Sequence, residues 1–418
     1  MFSRIITISV ILLLIFLIDL YVFQAVRTVT QNMLPRTQRL IHILYWAVFT
    51  LTVATVIIFT VTRGTPPSHL RMYLVSVVFI LFASKLVVVV FLLVDDGIRL
   101  MKFIVNYIFS NAPNHPAPGP IKITRNEFLS KIGLLAAAIP FTAFIYGMVR
   151  GAYNYQVKRV TLKFPHLPKA FDGFKVLQIS DLHTGSFNNP EPLKKAVALI
   201  NKQAADLIFF TGDLVNNIAP EALPHIPVLS QIKSPHGVFS ILGNHDYGDY
   251  VNWGSREEKI ANLNHLKQNH QQLGWRLLLN EHVLIRKGGE EFAVLGVENW
   301  STRLHFPKYG NLPKAYAGAE QIPFKILLSH DPSHWDGEVT QHFPDIDLML
   351  SGHTHGMQFG VNIPGFKWSP VQYVYKQWAG LYQKGRQYLY VNTGLGFLGY
   401  PGRVGFLPEI TVFELKQA

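Results

Sequence analysis

The chain has 418 residues, of which 49% are hydrophobic and only 15% charged, with a formal net charge of +12 and no cysteine. The lack of cysteine excludes disulfides, thiolate zinc sites and a cysteine nucleophile, and the low charged fraction directs attention to membrane segments. The charge is uneven: residues 1–156 carry 13 Lys/Arg against 4 Asp/Glu, a net +9, so the excess flanks apolar stretches and forms no nucleic-acid-binding stripe. No nucleic acid partner is expected.

Four stretches, about 5–23, 41–62, 72–94 and 132–149, are long and apolar enough to span a hydrocarbon core as helices. The first lacks a small-residue cleavage site and precedes three further spans, so it reads as a retained helix and not as a signal peptide. A fifth apolar stretch, 98–109, is interrupted by Arg99 and Lys102 and is too short to cross alone; it extends the third helix or lies in the interface. Residues 110–120 (SNAPNHPAPGP) read as a loop. Asp19 and Lys85 lie inside spans, and one charge of each sign reads as a structural pair more readily than as an ion path.

After Arg150 the composition changes. Two domains are expected: a transmembrane helical domain over 1–155 and an α/β domain over 156–418. In the second, the runs 174–179, 207–210, 238–242, 292–297, 325–328, 348–350 and 388–391 read as buried strands, and 192–205 and 255–273 as helices.

Five of these strands run straight into polar residues. The first leads into Ser180-Asp181-Leu182-His183, the second into Thr211-Gly212-Asp213, and the third into Gly243-Asn244-His245-Asp246. Two later ones lead into Ser329-His330 and Ser351-Gly352-His353-Thr354-His355. The carboxyl edge of an α/β sheet is where ligand sites form. Carboxylate and amide oxygens mixed with imidazoles suit Mn²⁺, Zn²⁺ or Fe²⁺ better than Mg²⁺ or Ca²⁺. In Asp181-x-His183 and His353-x-His355, alternate residues of an extended segment point the same way. Each piece alone is weak; the five in this order are specific.

The set DLH, GD, GNHD, SH and GHTH resembles the calcineurin-like metallophosphoesterase superfamily across essentially all of 174–395, and within it the bacterial membrane-associated, YkuE/YaeI-like group. The segment Asn392–Gly396 and the closing Arg403…Pro408-Glu409-Ile410 add to the likeness. The resemblance implies a four-layer α/β/β/α sandwich, here preceded by an all-α membrane domain of about four transmembrane helices. It implies that two divalent metal ions are bound, one by Asp181, His183 and His355 and the other by Asn244, His330 and His353, with Asp213 bridging. It places His245 near the leaving group as a non-ligand, and Asp246 is expected to orient His245. His334 and His342 match no ligand position and read as surface or supporting residues.

The resulting expectation is a membrane-anchored phosphoesterase that attacks phosphate ester or pyrophosphate bonds in line, on a lipid-linked or envelope substrate beside the bilayer. The rival reading is a phosphorylated-ligand sensor or scaffold that does not turn over. Lys/Arg near the spans barely orient the chain. The segment 124–131 (TRNEFLSK) resembles a twin-arginine signal lacking its second arginine, which favours an extracytoplasmic hydrolase on a bacterial inner membrane.

Overall fold

The structure, a computed structural model, describes residues 2–61, 69–108, 124–303 and 306–418. The expected loop over 110–120, Phe109 and Thr62 lie outside the described residues. The chain forms two compact units, Met1–Ile145 and Tyr146–Ala418.

The first unit is built on α1 (Phe2–Thr30), α2 (Pro35–Val61), α3 (His69–Ile108) and most of α4 (Arg125–Val149). All four are long and apolar enough to cross a membrane. At 1.5 Å per residue α3 is about 60 Å long, twice a hydrocarbon core of about 30 Å. The stretch 98–108 is therefore its continuation and not a separate element. The burial pattern is inverted relative to a water-soluble bundle. Leu13, Leu51, Leu93 and Leu135 are exposed, whereas Asp19, Ser84, Asp95 and Ser130 are buried. Val22 and Ala25 of α1 pack on Val88 and Leu92 of α3 and Ala137 of α4. Hydrocarbon solvates the outer leucines, and the polar groups must find partners inside. The Lys85 ammonium stands 2.5 Å from Asp19 Oδ1, and Tyr45 donates to the Asp19 carbonyl. Asp95 forms ion pairs with Arg99 one turn on and with Arg125 at the start of α4, both at 2.6 Å.

The second unit holds two six-stranded sheets. One runs in the order β1 (Gln156–Phe164), β14 (Glu409–Gln417), β2 (Lys175–Ile179), β3 (Leu207–Phe210), β4 (Val238–Ser240), β5 (Trp275–Leu277). The other runs β12 (Gly380–Lys384), β13 (Gln387–Val391), β9 (Leu348–Ser351), β8 (Lys325–Leu328), β7 (Glu290–Gly296), β6 (Glu281–Lys287). Strands β2 to β5 are mutually parallel, as are β7, β8, β9 and β13. A separate hairpin pairs β10 (Val361–Ile363) with β11 (Phe366–Trp368).

Alternation along the strands builds the layers. Val176, Leu207 and Phe209 of the first sheet and Phe292, Val294, Ile326, Leu328, Leu348 and Leu350 of the second share one buried core between the sheets. Each large side chain so buried contributes about 1.5–3 kcal/mol. On its far side the second sheet packs Leu295, Leu327, Met349 and Leu389 against Leu312, Ala315, Trp335 and Val339. On the far side of the first sheet, Phe210 meets Trp275 and His270, the latter near the end of the helix Arg256–Gln272. That helix starts where Ser255 accepts from the Glu258 amide, an N-cap that satisfies an otherwise orphan donor. Helix α5 (Glu191–Lys202) presents Leu193, Ala196, Val197 and Ile200 on one buried stripe. The four-layer architecture is as expected.

The unit boundary falls at 145/146, earlier than the domain boundary expected at 155/156. The last turn of α4 belongs to the second unit, where the Arg403 amide donates to the Gly147 carbonyl. Gly151 lies so close to the Arg403 carbonyl that a Cβ there would come within 2.0 Å of it.

Candidate metal centre

The carboxyl ends of β2, β3, β8 and β9, with the turn after β4, converge at one edge of the sandwich. The loops after β2 and β3 are stitched together, Asp181 N donating to Gly212 O and His183 N to Asp213 O. The Asp181 carboxylate accepts from the His353 amide at 3.0 and 3.1 Å, joining the first sheet to the second. Asp181, His183, Asp213, His353 and His355 all have positive φ, between 47° and 72°. For residues other than glycine this region costs about 1–3 kcal/mol each and persists only where surrounding bonds over-determine it. Two glycines make room: a Cβ on Gly243 would lie 2.2 Å from Asp213 Oδ1, and one on Gly352 2.0 Å from Ser180 Oγ.

The side chains form two clusters, Asp181/His183/His355 and Asp213/His330/His353. In the first, the Nε2 atoms of His183 and His355 are 3.0 Å apart, and His355 Nε2 is 3.2 Å from Asp181 Oδ1. In the second, His330 Nε2 is 3.1 Å from Asp213 Oδ2, and His353 Nδ1 is 2.7 Å from Asn244 Oδ1. Asp213 reaches both, because the same Oδ2 is 3.5 Å from His183 Nε2. All seven residues expected to hold metal are thus brought together, buried except for half-buried His353.

The donor inventory explains what such a cluster accommodates. His330 Nδ1 lies 2.7 Å from the Thr211 carbonyl and must donate to it, so Nε2, which faces Asp213 Oδ2 at 3.1 Å, is the nitrogen that takes up either a proton or a cation. Tyr375 gives its hydroxyl proton to Asp331, so at 2.8 Å it accepts from His353 Nε2. That leaves the Nδ1 lone pair facing Asn244 Oδ1, whose amide nitrogen donates to Tyr250. Acceptors facing acceptors inside a protein need a proton or a cation between them. These residues fit a divalent cation.

Charge acts in the same sense. Burial alone would raise the Asp213 carboxyl, but the surrounding His330, His245 and His183 imidazoles hold it well below the usual range. Burial lowers His330, yet Asp213 outweighs it and lifts the imidazole to about 10. Burial pushes His183 down to about 3 and His353 to about 4, so both rings are neutral at neutral pH. His355 is likewise held far down, by burial and by the charge of His183. Arg403 donates to its Nδ1 at 3.0 Å, so a cation at Nε2 competes with a proton there.

Asp246 does not make the contact to His245 that was expected of it. The Asp246 carboxylate does not orient the His245 ring; it accepts from the amides of Asp213, Leu214, Val215 and Gly243 and so clamps the two loops together. Four converging amides leave it no free lone pair for an imidazole. His245 Nδ1 instead bonds the Asn216 carbonyl at 2.7 Å, and its amide donates to Asp213 Oδ1. His334 is a supporting residue, buried between Ser329 and Glu338 and stacked on Trp300, and His342 is exposed. Tyr375, Asp331, Asn216 and Tyr250 were not singled out by the sequence. Asp331, directly after His330, was the one with a local signal.

Comparison with known proteins agrees with this geometry. Residues 3–152 match a family described as probable calcineurin-like phosphoesterase, transmembrane domain, and residues 174–357 match calcineurin-like phosphoesterase. The uncharacterized metallophosphoesterase YkuE of Bacillus subtilis is 33% identical over 307 residues, covering 71% of this chain and 99% of that protein. A transmembrane protein with metallophosphoesterase domain from Danio rerio is 30% identical over 294 residues, covering 68% of this chain and 63% of that one. Phosphodiesterase YaeI of Escherichia coli is 30% identical over 250 residues, covering 58% and 82%.

Proposed function

The chain belongs to the calcineurin-like phosphoesterase family, and from that premise we propose that this multi-pass membrane protein hydrolyses phosphate esters or pyrophosphates with two divalent cations. Asp181, His183 and His355 would hold one and Asn244, His330 and His353 the other, with Asp213 shared. When bound, such cations draw charge from the phosphate oxygens and lower the pKa of an attacking water. The observation that carries this reading is Asp213 Oδ2, within 3.1 and 3.5 Å of one imidazole from each cluster.

The chain's own residues divide the remaining work. His245 is half-buried, and its Nδ1–H is spent on Asn216, so in the doubly protonated ring Nε2–H would be the donor to the leaving oxygen. Asp246 keeps the Asp213 and Asn244 loops in register. Tyr375 and Asp331 fix the His353 tautomer so that Nδ1 faces the cluster.

The substrate we propose is lipid-linked or envelope-derived, because four membrane helices confine the hydrolase to the bilayer surface. An extracytoplasmic placement on a bacterial inner membrane is supported by the signal-like segment before α4. A reporter fused to Ala418 tests the side.

Replacing Asp213 with Ala in the full chain should lower Mn²⁺- or Zn²⁺-dependent hydrolysis of an aryl phosphate by at least about a hundredfold, since the loss of a mere supporting partner costs about 10–100-fold. Full activity in that variant would sink the reading. Tight metal binding by the wild-type chain without turnover on any ester would favour the sensor.

A further inference from the structure

The hairpin β10–β11 is amphipathic in the wrong sense for a protein surrounded by water. Its register pairs Val361 with Trp368, Asn362 with Lys367, and Ile363 with Phe366. Directly opposed residues share a face, so Val361, Ile363, Phe366 and Trp368 make one apolar face, and Asn362 and Lys367 make the other. The apolar face is the uncovered one: Val361 is 40% exposed, Ile363 58% and Phe366 55%. On the polar face Asn362 is exposed, and Lys367 reaches back to the domain, its ammonium donating to the Ala379 carbonyl and lying over the Trp378 ring. Beside it, Met357, Tyr373 and Val374 are also at least half exposed. An isolated two-stranded hairpin is marginal in water, and this one turns its apolar side away from the domain that could cover it.

Its position identifies the cover. The last turn of α4 belongs to the same unit as the hairpin. Arg403 N donates to Gly147 O in that turn, and the next residue, Val404, bridges in parallel to Phe359 and accepts from the Gly360 amide at the hairpin's root. Two backbone steps of about 4.8 Å each therefore separate the end of the membrane helix from the hairpin. Residues 357–376 contain five aromatic residues and two lysines but no Asp or Glu, the chemistry of interfacial elements.

We propose that the β10–β11 hairpin is a membrane-contacting element whose face Val361/Ile363/Phe366/Trp368 enters the lipid bilayer. Because only residues 356–360 separate His355 from the first strand of the hairpin, the hairpin would hold the metal loop at the bilayer surface. The proposal rests on the chain being a membrane protein and not on the metal chemistry.

The chain has no cysteine, so a single introduced thiol can be labelled uniquely. Full-length Ile363→Cys, carrying an environment-sensitive dye, is reconstituted into phosphatidylcholine–phosphatidylglycerol vesicles, some containing lipid with a quencher near the top of the acyl chain. Insertion by about 5–10 Å, usual for interfacial elements, predicts blue-shifted emission and strong quenching. Phe366→Cys should behave alike, Asn362→Cys on the opposite face should be quenched less, and Ile260→Cys on an exposed helix should not be quenched. Solvent-like, unquenched emission at both Ile363 and Phe366 overturns the proposal. So does energy transfer between hairpins of different molecules without lipid quenching, which would assign the face to a second copy. Neither readout requires turnover, so failure here leaves the metal reading untouched.

Discussion

Both units bury carboxylates, and they neutralise them in opposite ways. In the membrane unit Asp19 faces Lys85, and Asp95 faces Arg99 and Arg125: each acceptor meets a permanent donor. In the hydrolase unit, among the described residues, the ion-pair partners of Asp181 and Asp213 are imidazoles alone, and the ring nitrogens there look at other acceptors. A closed pair has no capacity left for a ligand. An acceptor cluster in which burial keeps His183, His353 and His355 neutral has capacity for a cation. Burial of charge is therefore not itself the mark of a site; what distinguishes this one is that its carboxylates form ion pairs with imidazoles and not with Lys or Arg.

The sharpest way to break this contrast is to open the closed pair. Lys85→Met leaves Asp19 buried and unpaired, and removing one partner of a buried pair costs about 3–5 kcal/mol. The thermal unfolding of the full chain in detergent should fall accordingly. The double variant Asp19→Leu/Lys85→Met should recover most of that loss, with aryl phosphate hydrolysis per folded molecule unchanged. A stable double variant that has lost hydrolysis would mean that the pair serves the reaction, and the contrast would fail.

Much of the contrast was legible in the sequence, for physical reasons that also set its limits. Apolar strands ending in Asp, Asn or His report local chemistry, so the metal residues could be named before their distances were known. Span length reports solvent, so four helices could be named. Long-range pairing leaves no such local trace. Tyr375 meets His353 from a segment that is not a regular strand, and Asp246 faces backbone amides of another loop, not its sequence neighbour. The positive φ of Asp181, His183, Asp213, His353 and His355 was equally invisible, because these are not glycines. The edge strand β1 and the hairpin β10–β11 went unread: their side chains are exposed or mixed, and periodicity is informative only where one face is buried. The interior strand β14, buried on both sides, went unread as well.

A second test stays within the hydrolase unit and compares a buried histidine outside the centre with those in it. His270 has Ser240 Oγ at 3.0 Å and no carboxylate, and burial alone lowers it to about 3. In the unfolded chain it titrates near 6.5. Below that pH the unfolded state takes up a proton that the folded state refuses, so this contribution is complete above about 6.5 and is lost progressively as pH falls toward 3. Between pH 7 and pH 5 the loss is about 2 kcal/mol, at 1.36 kcal/mol per unit. In His270→Gln, the difference in denaturant-derived stability between these two pH values should shrink by that amount. An unchanged difference would show that the pH sensitivity resides in the metal cluster instead.

The smallest effect probes the residue that the sequence left unread. Tyr375 holds His353 through one hydrogen bond and passes its own proton to Asp331, so it decides which ring nitrogen faces Asn244. Its ring is buried with Val371, Trp378 and Phe406, and Tyr375→Phe keeps that packing while deleting the hydroxyl. The fold should survive, while His353 gains freedom to take the other tautomer or to rotate. Partners of this kind are worth about 10–100-fold in metal affinity, and because the lost bond is single and neutral the low end is expected. Titration of Mn²⁺ into the full chain at fixed pH should show affinity weakened about tenfold, with the remaining activity recovered by raising the metal concentration. Asp331→Asn should shift affinity in the same direction through the same tyrosine. Unchanged metal affinity in Tyr375→Phe, with stability alone reduced, would make the hydroxyl a packing detail. The direction of His353 would then be set by Asn244 and the cation, and not by the chain that stands behind it.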